Sequence, residues 1–136
     1  MIVYGAAAKI GAIVLPVNWR LQAQEAEYVL NDGSPKLVFA GPEFQPTVGA
    51  MAEKIESIEA CYTIGGGEAS AGFQRFEDLF TESDSGEEFE ISGDSGFVII
   101  HTAAIAGRPR GALLSQQNIT AINLGMILQF GLNVED

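Results

Sequence analysis

The chain has 136 residues, which is enough for one ordinary domain and too few for a large two-domain enzyme. Apolar residues make up 47% and charged residues 18%, a composition that can bury a core and excludes a disordered segment. Acidic residues outnumber basic ones by 18 to 7, and the net charge of -11 argues against nonspecific nucleic-acid binding, which requires a surplus of Lys and Arg. The single cysteine excludes a disulfide framework and a multi-cysteine zinc site, and no apolar run reaches the length of a membrane span.

Both ends of the sequence predict helices that are apolar on most faces. The first, Ile2–Ile10, follows Met1 without a Ser, Thr, Asp or Asn to cap it. The last, residues 119–132, is apolar nearly all the way round, and such a helix must be covered on all sides. Its large apolar residues are Ile119, Ile122, Leu124, Met126, Ile127, Leu128 and Phe130. We therefore expect the sequence to be a piece of a longer protein, and we expect the isolated chain to self-associate as a dimer.

Three short apolar runs within residues 1–64 predict β-strands. Residues 12–17 are typical of a strand buried on both faces, and Pro16 places that strand at a sheet edge or at the strand's end. The other two runs are residues 36–40 and 61–64. Cys61 is expected to be a small buried side chain in a reducing compartment, which favours a cytoplasmic protein.

Helical patterns separate these strands. Residues 21–31 place Ala26, Val29 and Leu30 at helical spacing, with acidic residues near the positive N-terminal end. The next helix has Pro46 in its first turn and one apolar stripe, formed by Val48, Met51, Ala52 and Ile55. Strands that alternate with helices through short loops predict an α/β fold with a mostly parallel sheet flanked by helices.

Residues 65–95 predict a flexible acidic loop region. The glycines at 65–67 have no Lys, Ser or Thr at the spacing that a phosphate-binding loop needs, so a surface loop is the preferred interpretation. Calcium or magnesium binding is the alternative for the acidic run, whereas a solvated loop is its usual structure. The acidic residues of this run are Glu77, Asp78, Glu82, Asp84, Glu87, Glu88, Glu90 and Asp94.

The strongest candidate site lies within residues 96–132, where a buried-type strand, a loop of small residues and a returning strand precede the last helix. Backbone N–H groups brought together in such a loop can bind an anion, and Arg108 and Arg110 add positive charge. Ser115 and Asn118 are expected to cap and orient the helix. His101, at the end of the first strand, is interpreted as a packing histidine, with a catalytic base as the alternative.

Residues 101–118 (H-T-A-A-I-A-G-R-P-R-G-A-L-L-S-Q-Q-N) resemble the phosphate-loop signature of the adenylate-forming superfamily, T-S-G-T-T-G-x-P-K-G-V followed by L-S-H-x-N. Residues 5–21 resemble a second segment of that superfamily, G-x-x-x-A-G-A-x-x-x-P-x-N-P-R-L. The resemblance runs from Ile2 to about Asn123. It identifies the chain as part of the large N-terminal domain of an enzyme similar to acyl-CoA synthetases.

This resemblance implies a function for the loop. In the superfamily, the loop binds the β- and γ-phosphates of ATP while a carboxylic acid attacks the α-phosphate, and CoA then accepts the acyl group. The implied cofactors of the parent enzyme are ATP, Mg²⁺ and CoA, its substrate is a carboxylic acid, expected to be a fatty acid, and none of these is expected to bind tightly to this chain alone. The implied phosphate-binding residues are Thr102, Ala103, Ala104, Ile105, Ala106, Gly107 and Arg110.

The loop departs from the pattern in two ways. Arg110 replaces the usual lysine, which keeps the charge and offers two parallel hydrogen bonds to a phosphate. Ala103, Ile105 and Ala106 stand where the pattern has Ser, Thr and Thr, so three hydroxyl donors are missing. The alternatives are an enzyme whose backbone amides and arginines bind the phosphates, or a non-catalytic binding or scaffold relative with a degenerate loop.

The superfamily's remaining nucleotide-site motifs and its catalytic lysine lie downstream of the matched segments, so this chain is expected to be inactive by itself. A small acidic domain that serves only protein contacts is a third interpretation. For Trp19 and Arg20, an edge of the core and a salt bridge are preferred over a ligand contact.

Overall fold

The structure is a computed structural model that describes residues 1–80, 89–102 and 108–132. The chain divides into two units, of which the first comprises Met1–Pro16 with Glu87–Asp136 and the second comprises Val17–Gly86. Helices and a parallel sheet confirm the predicted α/β class. Among the described residues, no helix combines the length and the apolarity that crossing a bilayer requires.

The second unit is built on a three-stranded parallel sheet. Its strands are β1 (Leu37–Ala40), β2 (Ala60–Thr63) and β3 (Phe73–Arg75), in the order β1-β2-β3. The register pairs Val38 with Cys61 and Cys61 with Phe73. Since side chains alternate across a strand, these residues share one face of the sheet.

That face carries the core of the second unit. Ala40, Cys61 and Phe73 are buried, and the partly buried Val48 and Ala52 pack against them from helix α3 (Gln45–Ala52). On the opposite face, the rings of Phe39 and Tyr62 stack with centroids 5.5 Å apart. Desolvation raises the pKa of the Cys61 thiol, which accords with the predicted buried cysteine.

The helices of the second unit match their patterns with small shifts. Helix α2 (Ala23–Gly33) begins and ends two residues later than predicted and buries Ala26, Val29 and Leu30. Its start is stabilised by the backbone N–H of Gln22, which donates to Glu25 Oε2 at 2.9 Å. Helix α3 has Pro46 in its first turn, as predicted. It ends at Ala52, so Ile55 is buried beyond the helix rather than on its stripe.

The first unit contains helix α1 (Ile2–Ile10), strands β4 (Gly96–His101) and β5 (Gly111–Ser115), and helix α4 (Gln116–Phe130). β4 and β5 pair antiparallel, which confirms the predicted returning strand. Phe97 and Val98 are buried in this unit, as is Ala7 of α1. The ring of Tyr4 meets that of Phe97 edge-on, with centroids 6.2 Å apart.

The prediction of a strand over residues 12–17, buried on both faces, is wrong. Only Val14 pairs, forming a parallel bridge to β4: its N–H donates to Phe97 O at 2.8 Å, and Ile99 N–H donates to Val14 O at 2.9 Å. Ala12 instead donates back to Ala7 O and thereby closes the end of α1, while Pro16 has no N–H to donate. Ile13 is 49% exposed. Val14 therefore joins the β4–β5 sheet rather than the sheet of the second unit.

The region over residues 65–95 contains a strand that the sequence pattern did not predict. β3 lies in this region and is followed by a 3-10 helix, Phe76–Leu79. Four of the eight acidic residues of the run, Glu82, Asp84, Glu87 and Glu88, lie outside the described residues. Within the described ranges, no group of three or more His, Cys, Asp or Glu side chains is arranged to hold a metal ion.

Candidate functional site

The β4–β5 hairpin brings together the two ends of the predicted phosphate loop. The strand register pairs His101 with Gly111, so the next residues outward, Thr102 and Arg110, face each other. The backbone N–H of Thr102 donates to Arg110 O at 3.1 Å, and the Thr102 hydroxyl donates to the same oxygen at 3.4 Å. The hairpin thus closes the base of the loop.

The tip of this loop lies outside the described part of the chain. Five of the seven implied phosphate-binding residues, Ala103, Ala104, Ile105, Ala106 and Gly107, belong to it. Thr102 and Arg110 are the two that the structure places, and it brings them into direct contact.

The Arg110 side chain is exposed at this position. Across residues 1–80, 89–102 and 108–132, the ion pairs are Lys36–Glu59 at 2.9 Å and Arg75–Glu77 at 3.7 Å, both in the second unit. The Arg110 guanidinium is in neither of them. Its exposed, planar fork is suited to an anion such as a phosphate.

Gly111 controls how closely the hairpin packs beneath the loop. A Cβ at this position would lie 2.7 Å from Ile99 Cγ2 and 3.2 Å from His101 Cε1. Because Gly111 has no side chain, the side chains of Ile99 and His101 can pack directly against the backbone of β5. His101 is half-buried in this arrangement, which favours the packing role.

The start of α4 is fixed by backbone contacts and a capping box. Asn118 N–H donates to Ser115 Oγ at 3.2 Å, and Ser115 N–H donates to Asn118 Oδ1 at 3.0 Å. Gln116 and Gln117 donate their N–H groups to the carbonyls of Ser95 and Gly93, at 3.0 and 2.8 Å. The predicted capping role of Ser115 is confirmed, and these first N–H groups of α4 are used within the protein.

A buried glutamine, Gln45, organises the loop that follows β2, although its role was not predicted from the sequence. Gln45 is 3% exposed, and its Nε2 donates to Thr63 Oγ1 at 2.8 Å and to Glu68 O at 3.3 Å. Its Oε1 accepts from Ser70 N–H at 2.7 Å. The intervening glycines, Gly65 to Gly67, all have positive φ angles. Hydrophobic periodicity in the sequence cannot reveal such a residue, because Gln45 is polar and its partners lie 18 to 25 residues away.

Trp19 and Arg20 lie at the start of the second unit. The Arg20 guanidinium lies 4.9 Å from the centroid of the Trp19 ring, in a cation–π contact. Trp19 is 67% exposed, so it is not an edge of the core in the described structure.

Comparison with known proteins places these features in a family. The model of the family described as AMP-binding enzyme matches residues 1–136. The chain belongs to this family, and the resemblance found in residues 5–21 and 101–118 is confirmed.

Several CoA ligases are similar to this chain. The crystal structure of a candidate long-chain-fatty-acid CoA ligase from Rhodopseudomonas palustris is 42% identical, with a TM-score of 0.85 over 96% of this chain and 32% of that chain. A candidate acyl-CoA ligase of Bacillus subtilis, YdaB, is 31% identical over 84% of this chain and 22% of its own length. The long-chain-fatty-acid–CoA ligase FadD13 of Mycobacterium tuberculosis is 28% identical over 85% of this chain and 22% of its own length. The chain thus spans about a fifth of the length of these curated relatives.

Proposed function

We propose that this chain is part of an ATP-dependent acid–CoA ligase. The whole enzyme would join a carboxylic acid to the α-phosphate of ATP, releasing pyrophosphate, and would then transfer the acyl group from AMP to the thiol of CoA. The observation that carries the proposal is the family match over the entire chain, together with the CoA ligases among its relatives. The relatives are several times longer than this chain, so the complete reaction would require parts of the enzyme beyond this segment.

The hairpin loop supplies the phosphate contacts in this proposal. Arg110 is exposed and outside the ion pairs of the described residues, so its charge suits the β- and γ-phosphate oxygens of ATP. Thr102 binds Arg110 O and holds the base of the loop closed. Ala103 to Gly107 would contribute backbone N–H groups, since their side chains are apolar or absent. When ATP is bound, its Mg²⁺ ion would neutralise phosphate charge, and we assign no residue of this chain to that ion or to CoA.

A fatty acid is our proposed substrate class. Two similar proteins carry names that specify long-chain fatty acids. The proposal rests on those names and on no residue of this chain. We place the protein in the cytoplasm, where a lone buried thiol such as that of Cys61 stays reduced.

The chain by itself is proposed to be inactive. It spans 22% of the length of its curated relatives. The resemblance to the adenylate-forming superfamily implies that the motifs that complete the nucleotide site lie downstream of the matched region. In isolation, we propose that it self-associates, with a dimer as the simplest product, because 15-residue α4 has no buried residue.

The test is pyrophosphate exchange by the full-length ligase that contains this segment. Acid-dependent exchange of label between pyrophosphate and ATP is expected, with a preference for fatty acids. Arg110→Ala should reduce the exchange rate at least tenfold, and Arg110→Lys should restore most of it. Arg75→Ala is the matched control, since Arg75 is an exposed arginine of the second unit that pairs only weakly with Glu77. Absence of exchange with acids of every chain length would refute the ligase activity.

A non-catalytic scaffold is the second candidate, and the missing hydroxyls at 103, 105 and 106 favour it. The two candidates differ in their response to repair of the loop. Introducing Ser, Thr and Thr at these positions of the full-length protein should tighten ATP binding if the protein is an enzyme. It should leave ATP binding undetectable if the rest of the nucleotide site has also been lost.

A further inference from the structure

His101 and Gly111 form the last residue pair of the two hairpin strands, directly beneath the phosphate loop. Thr102 and Arg110 are the next residues outward. Because the backbone N–H of Thr102 donates to Arg110 O at 3.1 Å, that outer pair is a hydrogen-bonded one. Hydrogen-bonded and non-hydrogen-bonded pairs alternate along an antiparallel ladder. His101 and Gly111 therefore form a non-hydrogen-bonded pair, in which the two Cα atoms approach most closely.

The imidazole ring of His101 lies across the backbone of Gly111. A Cβ on Gly111 would lie 3.2 Å from Cε1 and 3.3 Å from Nε2 of this ring. Two directly opposed residues share one face of the sheet, and Gly111 has no side chain to fill its half of that face. The half-buried His101 ring therefore occupies space that a side chain at position 111 would otherwise take.

An aromatic ring is well suited to this contact. A glycine weakens a strand because it has no side chain to pack and because its backbone can adopt many conformations. An aromatic residue on the neighbouring strand compensates by covering the glycine. The flat imidazole can lie directly on the Gly111 backbone, whereas a branched aliphatic side chain of similar volume cannot lie flat on it.

Arg110 directly precedes Gly111, so this contact also restrains the arginine. The Arg110 carbonyl oxygen accepts the N–H and the hydroxyl of Thr102, and the Arg110 side chain is exposed. A shift of Gly111 moves the Arg110 backbone, and with it the guanidinium that is proposed to bind phosphate. A misplacement of about 1 Å can cost an active site up to about 100-fold in rate.

We propose that His101 is a positioning residue for ATP. Its ring holds Gly111 in place and thereby determines where Arg110 presents its charge to the β- and γ-phosphates. The flat shape of the ring supplies this effect and a proton on the ring does not, so His101 is not assigned as a base. The inference rests on the proposed function, since it takes nucleotide phosphates as the anion.

Pyrophosphate exchange by the full-length ligase, measured at varied ATP concentrations, tests this assignment. His101→Ala should raise KM for ATP about tenfold and leave KM for the acid within about twofold, because the loop is proposed to contact only the nucleotide. His101→Phe keeps a flat ring and should restore KM for ATP to within about twofold of the unmodified value. His101→Leu keeps apolar volume for folding and should still show a raised KM for ATP, which keeps the test valid if His101→Ala does not fold.

Ile100→Ala is the matched control in the same strand. Ile100 is 45% exposed and pairs with Ala112, so its side chain lies on the opposite face of the hairpin from His101. This variant should keep KM for ATP within about twofold. An equal rise in Ile100→Ala, or an unchanged KM for ATP in His101→Ala, would overturn the proposal. Rescue by His101→Asn but not by His101→Phe would also overturn it, since an amide replaces a hydrogen bond and not a ring.

Hydrogen exchange in the same full-length protein separates this inference from the proposed function, because it requires no activity. The Thr102 N–H is bonded to Arg110 O, so its exchange rate reports whether the base of the loop is closed. His101→Ala should speed exchange at Thr102, and His101→Phe should not. That pattern in a protein without pyrophosphate exchange would refute the proposed activity and leave the effect of His101 on the loop standing. Unchanged exchange at Thr102 in His101→Ala would overturn that effect.

Discussion

The side-chain amide of Gln45 and the hydroxyl of Thr63 form a hydrogen bond of 2.8 Å between two residues that are each 3% exposed. Gln45 begins α3, and Thr63 ends β2 at the carboxyl edge of the parallel sheet. The same glutamine also binds Glu68 O and Ser70 N–H. One side chain therefore connects a helix, a strand and the loop that follows the strand.

Replacing this glutamine tests how strongly it holds the loop. Gln45→Leu should lower the free energy of unfolding by about 1–3 kcal/mol, because it leaves the Ser70 N–H and the Glu68 carbonyl without their partner. Chemical denaturation would measure the loss. Hydrogen exchange should show faster exchange at Ser70 than in the unmodified chain.

Thr63→Val and the double variant form a cycle with this substitution. The double variant should lose less stability than the sum of the single variants, because both remove the same hydrogen bond. Gln24→Leu, on the exposed side of α2, is the control and should change stability by less than about 0.5 kcal/mol. Full additivity would show that the two side chains do not interact in solution.

Two glycines should respond to alanine in opposite directions. Gly111→Ala would bring a Cβ within 2.7 Å of Ile99 Cγ2, so we expect a loss of about 1–3 kcal/mol from overpacking. Gly125→Ala, in the middle of α4, meets nothing within 4 Å and should stabilise the helix by about 1 kcal/mol. Thermal unfolding of the two variants side by side would check both signs. Equal effects would contradict the described packing of the hairpin.

The buried thiol predicts a dependence of stability on pH. Burial raises the pKa of Cys61 in the folded chain, so the folded state holds its proton more tightly than the unfolded state. The protonated thiol's contribution to the free energy of unfolding is fully present below the ordinary thiol pKa of 9.0. It is lost as the pH rises through the higher pKa that Cys61 has in the folded chain. Denaturation curves should therefore show that the unmodified chain loses stability with rising pH more steeply than Cys61→Ala. Parallel curves would indicate that the thiol is not desolvated.

Removal of the α4 cap should loosen the start of that helix. Ser115→Ala loses the acceptor of the Asn118 N–H and should cost about 1 kcal/mol. Ser115→Asp is the matched control, since a carboxylate accepts the same hydrogen bond and is favoured at a helix N-terminus. Hydrogen exchange at Asn118 would report the difference. Equal protection in both variants would argue against the capping role.

The regular parts of the fold were predictable because their patterns are local. The spacing of Ala26, Val29 and Leu30 predicted α2, and Ser115 predicted the start of α4. The runs at residues 36–40 and 61–64 predicted β1 and β2 within one residue at each end. In these segments, side-chain periodicity and capping chemistry depend on neighbours in the sequence.

Long-range contacts account for the rest. β3 has three residues, of which only Phe73 is buried, so it shows no alternation and is defined by pairing with β2. Val14 is a single bridge whose partner lies far along the chain. Gln45 is polar, and only its distant partners explain why it is buried. For the site, sequence resemblance singled out the loop, while the contact between Thr102 and Arg110 depends on strand register.

The bridge between Val14 and β4 pairs two segments of the first unit that are far apart in the sequence. Among the described residues, the first unit contains residues 1–16 and those from 89 onward, and the second unit lies between them in the sequence. The second unit is thus an insertion in the sequence of the first, and its internal contacts join residues that are closer in sequence than Val14 and Val98. If the second unit folds first, the flexible loop that must close to pair Val14 with β4 becomes shorter, and the entropy cost of that closure falls. A graft that replaces residues 17–86 by a brief linker should consequently preserve the hairpin with its loop, giving a minimal scaffold on which nucleotide contacts can be engineered apart from the inserted sheet.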